Sequence, residues 1–219
     1  ILNSPSNPTG AVYDQDELFL AAELAIENQI YVLSDEIYEK LIYDDARHIS
    51  IASFNKKIYG LTITVNGVSK TYSMTGWRIG YLAAPQEIAS AIGNLQSHST
   101  SNPASMCQKG AYEAICGNQD FISGMIAEFA KRREYMVQRL SGIKGFSPFN
   151  PRGAFYVFCE ISATGFGSAE LCNRLLSEAR VAVVPGAGFG LDNYVRFSFA
   201  TGMENIKKGL DRIEEWVRR

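Results

Sequence analysis

The segment GVSKTYSMTGWRIG, residues 67–80, places a lysine and an arginine eight positions apart. Lys70 follows small residues at the end of an apolar stretch, and Arg78 lies between Trp77 and Ile79. The amine of a lysine can form a Schiff base with a carbonyl group, and the planar guanidinium of an arginine can hold phosphate oxygens. The pair therefore indicates a ligand that carries both an aldehyde and a phosphate.

Pyridoxal phosphate (PLP) has both groups, so it is the cofactor that this pattern favours. Ser69, next to the lysine, could add a hydroxyl group. Asp35 is either a surface carboxylate that caps the next turn or an acid beneath the pyridine nitrogen, where it would raise the pKa of that nitrogen. Tyr38 could place its hydroxyl near the phenolate oxygen of the ring, whereas Glu36 is expected to be structural.

Two further polar residues come from distant parts of the chain. Asn7 opens the tetrapeptide NPTG, which is either a proline-initiated turn or, at the end of a strand, an amide donor for the phenolate oxygen. Arg196 interrupts an alternating apolar segment, and a charge there is costly to bury without a partner. It is either part of a buried structural salt bridge or a bidentate clamp on the α-carboxylate of a substrate.

Other chemistries find less support. His48 and His98 are the only histidines and share no ligand spacing with cysteine or acidic residues, so we predict neither a metal site nor a histidine-based triad. The glycine-rich segment 185–190 lacks the spacing of a nucleotide-binding loop, and we expect it to be a mobile closing segment.

Composition limits the partners. With 219 residues, 46% hydrophobic and 20% charged, the chain is predicted to be soluble and globular, as one large or two small domains. A net charge of −2 gives no reason to expect nucleic acid or a membrane as partner. The four cysteines are scattered without a C-x-x-C pair, which predicts reduced core thiols in a cytoplasmic protein rather than zinc ligands or disulfides.

Strand-like and helix-like segments alternate through the first hundred residues. Asp14 is a candidate N-cap of a helix that runs to about Asn28, and apolar strands are expected at 30–33, 61–65 and 81–84. Such strands, separated by helices, predict an α/β fold with a mostly parallel sheet covered on both faces. Ligands bind beyond the carboxyl ends of such strands.

The later part of the chain has a different character. Helices are expected at 87–96, 105–115, 121–140, 169–179 and 204–217, and strands at 154–159, 181–184 and 195–199. We predict that residues 1–125 form part of one large domain, and that 126–219 form a connecting helix and a small α/β domain. The first residues look like the tail of a buried strand without an initiator methionine, so we expect the chain to be a piece of a longer protein.

Together these residues resemble class I of the fold-type I PLP-dependent aminotransferases. Residues 67–80 fit the PLP-attachment signature of that family at each defined position. The pieces NPTG, SDEIYEKLIYD, QSHSTSNPASMCQ, PRGAFYVF and VRFSFA follow in the order of the family. The resemblance covers essentially the whole chain and is greatest to the bacterial-type aspartate aminotransferases, a subgroup that includes prephenate and aromatic aminotransferases.

The resemblance implies a role for each candidate residue. Lys70 would be the Schiff-base lysine and the base for a 1,3-proton shift, and Asp35 would pair with the pyridine nitrogen. Asn7 and Tyr38 would contact the phenolate oxygen.

The two arginines complete the implied site. Arg78 would hold the cofactor phosphate and Arg196 the substrate α-carboxylate. The reaction would be ping-pong transamination between an amino acid, expected to be aspartate, and a 2-oxo acid, expected to be 2-oxoglutarate. The family also implies a homodimer.

Members of the family are nearly twice as long as this chain. The N-terminal half supplies the first strands of the large domain, a glycine-rich phosphate loop, an aromatic residue that stacks on the ring and an arm to the partner subunit. If the chain acts alone, we expect weak PLP binding and little activity. Alternatives are another PLP enzyme of the same fold, such as an aromatic or prephenate aminotransferase or a β-lyase, and a truncated non-catalytic fragment.

Overall fold

A computed structural model describes residues 1–219, the whole of the given sequence. The helices and strands follow one another in this order: β1 (Leu2–Asn3), α1 (Gln15–Glu27), β2 (Val32–Asp35), α2 (Lys56–Tyr59), β3 (Thr62–Gly67), β4 (Gly80–Ala83), α3 (Gln86–Ser97), α4 (Ser105–Cys116), α5 (Asp120–Ser141), β5 (Ser147–Pro148), β6 (Tyr156–Glu160), α6 (Ser168–Glu178), β7 (Val184–Pro185), β8 (Tyr194–Ser198) and α7 (Met203–Val217).

The internal contacts of the chain separate it into two units. The first consists of Ile1–Pro5 and Val12–Gly124, and the second of Ser6–Ala11 and Met125–Arg219. The later boundary lies within α5, and the short segment after β1 belongs to the second unit. The functional domain limits at residues 125 and 126 stay a prediction.

A four-stranded sheet organises the first unit. Its strand order is β1-β2-β3-β4, with the first three strands parallel and β4 antiparallel to β3. Asn3 is level with Asp35, and Asp35 with Val65. The predicted α/β class with a mostly parallel sheet is confirmed, and the antiparallel strand is an addition that apolar composition alone could not reveal.

Local sequence sets the start of α1. The Asp14 side chain accepts a hydrogen bond from the Glu17 backbone N–H, and the Glu17 side chain accepts one from the Asp14 backbone N–H, each at 2.9 Å. This capping box satisfies two backbone donors that a helix end leaves free, as predicted. Leu18 and Ala22 then recur at helical spacing and are buried in one cluster with Val32 of β2.

The second strand begins two residues later than predicted. The backbone N–H of Ile30 donates to the Ala25 carbonyl at 2.9 Å, so it closes the C-terminal end of α1. Val32 is the first residue of the segment that pairs with β3, through Thr62. The apolar character of residues 30 and 31 therefore did not mark the strand.

An antiparallel sheet with the order β5-β6-β8-β7 organises the second unit. Val157 of β6, Val195 of β8 and Leu171 of α6 are fully buried. Of the predicted strand at 181–184, only the last residue pairs with β8, because the Val181 N–H donates to the Leu175 carbonyl at the end of α6. None of the helices combines the length and apolar character that a membrane span requires.

Candidate functional site

Side chains suited to bind a cofactor gather at one edge of the first unit's sheet. Asp35 is the last residue of β2, and Lys70 follows the end of β3 by three residues. Arg78 precedes β4 by two residues, and β4 runs antiparallel to β3. The carboxyl ends of the parallel strands and the amino end of β4 therefore lie at the same edge, which is where ligands bind in open α/β sheets.

Backbone contacts fix Asp35 at this edge. Its carbonyl oxygen accepts hydrogen bonds from the Asn3 side-chain amide and the Ser4 backbone N–H, both at 3.3 Å. Its carboxylate Oδ1 accepts from the Ile37 backbone N–H at 3.2 Å. The half-buried side chain keeps its second carboxylate oxygen for a ligand, and a negative charge there suits a protonated ring nitrogen.

Lys70 lies in a helical turn after β3. The Tyr72 N–H donates to the Val68 carbonyl, and the Ser73 N–H donates to the Lys70 carbonyl. The lysine Nζ lies 5.8 Å from the centroid of the Tyr38 ring, a distance at which a cation and an aromatic face attract each other. The structure thus brings together two residues that the sequence analysis selected independently.

The turn that carries Arg78 has an unusual backbone. Arg78 has a φ of 55° and Ser73 a φ of 53°, both in the left-handed region that residues with a side chain rarely adopt. The Arg78 side chain is exposed, and its Nη1 donates to the Thr75 carbonyl at 2.9 Å, which leaves other guanidinium N–H groups for a ligand. Residues in such conformations cluster at binding sites.

Helix α4 holds the same turn from one side. A Cβ added at Gly110 would lie 2.5 Å from the ring of Trp77, so this helix position accepts the indole because it has no side chain. Trp77 is the residue before Arg78. A tryptophan packed on a glycine therefore anchors the turn that presents the guanidinium.

The second unit holds an arginine whose charge lacks a carboxylate in its hydrogen bonds. Arg196 Nη1 donates to the side-chain oxygen of Asn7 at 2.6 Å. The guanidinium carbon lies 4.4 Å from the centroid of the Tyr156 ring and 5.2 Å from that of Phe189. The buried Nε has no hydrogen-bond partner. An orphaned donor on a cation between aromatic rings suits a carboxylate ligand better than the structural salt bridge considered above.

The NPTG segment forms a closed turn within the second unit. The Gly10 N–H donates to the Ser6 carbonyl at 2.8 Å, and the Gly10 carbonyl accepts from the backbone N–H groups of Arg152 and Gly153, each at 2.9 Å. Gly10 has a φ of +69°, and a Cβ there would lie 2.3 Å from the Cβ of Pro151. The turn that carries Asn7 therefore requires glycine at this position.

One polar cluster in the first unit was not predicted from the sequence. Glu36 is buried, and its carboxylate accepts hydrogen bonds from Ser34, His48 and Ser50 at 2.7–3.0 Å. Burial by itself would raise the pKa of Glu36, but the hydrogen bonds from His48, Ser50 and Ser34 and the charge of His48 outweigh it and lower the pKa below 4.5. His48, 12 residues away, has no ligand-like spacing to Glu36, so only the folded chain reveals the pair.

The donor set of the first unit fits PLP. The amine of Lys70 matches an aldehyde, the carboxylate of Asp35 a pyridinium, the hydroxyl of Tyr38 a phenolate and the guanidinium of Arg78 a phosphate. Ser69, half-buried two residues after β3, adds a hydroxyl group. Each of these side chains belongs to the first unit, whereas Asn7 and Arg196 belong to the second.

Comparison with known proteins gives a consistent result. The family model described as aminotransferase class I and II matches residues 1–213. An aspartate aminotransferase of Bacillus sp. (strain YM-2) is 48% identical over 100% of this chain. A probable aspartate/prephenate aminotransferase of Aquifex aeolicus is 44% identical over 98% of it. The chain spans 57% and 56% of the lengths of these two relatives.

Solved structures agree with the fold. An aromatic aminotransferase from Pyrococcus horikoshii superposes with a TM-score of 0.94 at 41% identity, over 99% of this chain and 59% of the other. An aspartate aminotransferase from Rhizobium meliloti has a TM-score of 0.94 at 38% identity, over 100% of this chain and 57% of the other. With a family match over nearly its whole length, this chain belongs to the class I and II aminotransferase family.

Proposed function

We propose that this chain carries residues of the active site of a PLP-dependent aminotransferase that uses a ping-pong mechanism. The observation that carries the proposal is the edge of the first unit's sheet, where Lys70 faces the Tyr38 ring and Asp35 ends the neighbouring strand. A lysine, a phenol and a carboxylate at the carboxyl ends of parallel strands supply three of the contacts that PLP requires.

PLP, when bound, supplies an electron sink for the carbanion formed at the substrate Cα. Within the chain, Lys70 Nζ would hold the cofactor and then take up and return the substrate proton. Asp35 would keep the ring nitrogen protonated through its negative charge, and Tyr38 would donate its hydroxyl hydrogen to the phenolate oxygen. Arg78 and Ser69 would bind the phosphate.

In the second unit, Arg196 would bind the α-carboxylate of the substrate. Its Nη1 is already oriented by the Asn7 oxygen, and its buried Nε offers an unpaired donor. Two aromatic rings restrict the guanidinium, so little conformational freedom would be lost on binding. Asn7 would use its amide N–H to contact the phenolate oxygen.

Aspartate and 2-oxoglutarate are the proposed substrates. The support is that relatives at 41–48% identity are named aspartate aminotransferase. A second candidate is transamination of an aromatic amino acid or prephenate, which is favoured by relatives named aspartate/prephenate aminotransferase and by the aromatic aminotransferase of Pyrococcus horikoshii. As an extension of the family resemblance, we also propose a cytoplasmic homodimer.

Cofactor attachment tests the proposal directly. The 219-residue chain is mixed with PLP, its visible spectrum is recorded, and borohydride is added before peptide mass analysis. A Lys70→Ala chain is the control. We expect a visible band that depends on Lys70 and a reduced cofactor attached to the Lys70 peptide, whereas the absence of both contradicts the proposal that this chain forms the cofactor site.

Product analysis distinguishes the reactions. Transamination of aspartate yields a 2-oxo acid and passes the amino group to added 2-oxoglutarate. A β-lyase, given an amino acid with a leaving group on Cβ, instead releases that group together with ammonia and pyruvate. Transfer to 2-oxoglutarate that is faster from phenylalanine than from aspartate favours the second candidate. Transfer from an amino-acid donor to prephenate, with prephenate as the 2-oxo acid, favours it as well.

A further inference from the structure

Resting on the proposed function, we propose that Glu36 is a positioning residue that fixes Asp35 and Tyr38 in the orientation that a bound cofactor requires. Glu36 lies one residue after Asp35 and two before Tyr38. It has no role in the chemistry proposed above. Its contacts tie the end of β2 to a loop 12–14 residues further along the chain.

The side chain of Glu36 is held from three directions. Its Oε1 accepts hydrogen bonds from Ser34 Oγ at 3.0 Å and Ser50 Oγ at 2.7 Å. Its Oε2 lies 3.0 Å from His48 Nε2, and the side chain is only 5% exposed. A carboxylate this buried is stable only while such partners are in place, so the network has few alternative arrangements.

The backbone of Glu36 is held as well. Its N–H donates to the Val65 carbonyl at 2.9 Å, which continues the ladder between β2 and β3, and its carbonyl accepts from the Glu39 N–H at 2.9 Å. With both backbone groups and the side chain fixed, the peptide units on either side have little freedom to rotate.

One hydrogen bond, between the Ile37 backbone and the Asp35 side chain, connects this restraint to Asp35. Glu36 directly follows β2, and its hydrogen bond with Ser34 places these two side chains on one face, so the Asp35 side chain between them points to the other face. The Ile37 N–H, on the far side of Glu36, donates to Asp35 Oδ1 at 3.2 Å. Loss of the Glu36 network would therefore weaken the hydrogen bond that orients the Asp35 carboxylate. It would also give the backbone from Glu36 to Tyr38 more freedom to move.

Amide hydrogen exchange tests the proposal without cofactor or catalysis. The variant is Glu36→Gln, which keeps the size of the side chain but removes the negative charge of the carboxylate that accepts three hydrogen bonds. The matched control is Glu160→Gln in the second unit, whose carboxylate accepts from Ser162 Oγ at 2.9 Å. Hydrogen bonds to charged groups are strong enough that we expect exchange at residues 36–38 to rise about tenfold or more in Glu36→Gln and to stay unchanged in Glu160→Gln.

A merely structural role predicts a different pattern. If Glu36 only stabilises the unit, exchange rises to the same extent in the interior of β3 as at residues 36–38, and that result overturns the proposal. Unchanged exchange at the Ile37 amide also overturns it. Because Glu36→Gln can unfold the chain, Ser50→Ala, which removes a single donor, is measured in parallel. In Ser50→Ala, a rise in exchange that is smaller than in Glu36→Gln and confined to residues 36–38 supports the proposal. A rise spread over the whole first unit refutes it.

A PLP titration separates this proposal from the proposed function. The dissociation constant for PLP is measured by absorbance for the unchanged chain and for Glu36→Gln. We expect about tenfold weaker binding in the variant. If the unchanged chain binds no PLP, the chain does not form the cofactor site by itself, while the exchange pattern still decides whether Glu36 orients Asp35. If both chains bind PLP equally, Glu36 is not a positioning residue for the cofactor.

Discussion

Gly10→Ala should destabilise the second unit strongly, although it adds only one methyl group. Gly10 combines two features that exclude a side chain. Its φ is +69°, and a Cβ would lie 2.3 Å from the Cβ of Pro151 and 2.8 Å from the Gly153 carbonyl oxygen. The first contact is far inside van der Waals distance, and the second is with backbone, so neither is relieved by turning a flexible side chain.

The size of the effect follows from these two features. An L-residue in the left-handed region costs about 1–2 kcal/mol relative to glycine. Forcing a methyl group into a filled space costs typically about 1–3 kcal/mol more. We therefore expect a loss of about 2–5 kcal/mol in the free energy of unfolding, which is a large part of the stability of an ordinary domain.

The assay uses the fact that the chain has two tryptophans, one in each unit. In a Trp77→Phe background the fluorescence of Trp216 reports on the second unit alone. Urea unfolding is compared between Gly10→Ala and Gly209→Ala. Gly209 lies in α7 with open space where a Cβ would be, so alanine there should stabilise the unit by about 0.5–1 kcal/mol.

The two substitutions are expected to change the free energy of unfolding in opposite directions, which makes the comparison decisive. If Gly10→Ala unfolds within about 0.5 kcal/mol of the unchanged chain, the turn does not approach residues 151–153 as described, and the anchoring of Asn7 would need another explanation. If both variants lose stability equally, the effect is a general response to glycine replacement and not a property of the turn.

Three further predictions concern the candidate site and the core. Arg196→Lys should raise the KM for the amino-acid substrate about 10–100-fold, because an ammonium group cannot replace the two-pronged guanidinium that Asn7 holds. An unchanged KM would show that Arg196 does not bind the substrate carboxylate. Because its pKa is lowered in the folded chain, Glu36 contributes to stability above pH 4.5, and this contribution is lost as the pH falls from there through the folded-state pKa. Between pH 3 and 6, the free energy of unfolding should therefore fall less steeply with decreasing pH for Glu36→Gln than for the unchanged chain. Parallel curves would contradict this. Burial raises the pKa of the Cys159 thiol to about 12, so iodoacetamide should label exposed Cys116 in the folded chain and leave Cys159 unmodified until the chain unfolds; rapid labelling of Cys159 would disprove its burial.

Local features were predictable from the sequence because their causes lie within a few residues. The capping box of Asp14 and Glu17 needs only a spacing of three, and it was found as predicted. The segment around Lys70 and Arg78 indicated a PLP lysine and a phosphate-binding arginine by residue type and spacing. The family resemblance then extended these roles to residues elsewhere in the chain.

Strand limits were less predictable because a strand exists only where it finds a partner. Val181 was expected in a strand, but its N–H closes the end of α6, and of residues 181–184 only Val184 pairs with β8. Ile30 was assigned to a strand for its apolar character, yet it closes α1. In both cases a backbone donor was used by the preceding helix before the strand could begin.

Chemistry that depends on distant residues was decided by the tertiary structure. Asn7 and Arg196 are 189 positions apart and form one hydrogen bond, and no spacing rule connects them. Glu36 and His48 meet because a loop folds back onto the end of β2. The sequence by itself determined which side chains are candidates to bind a cofactor and a carboxylate. Only packing determined which of them touch, because a contact between distant residues depends on the path of the whole chain between them.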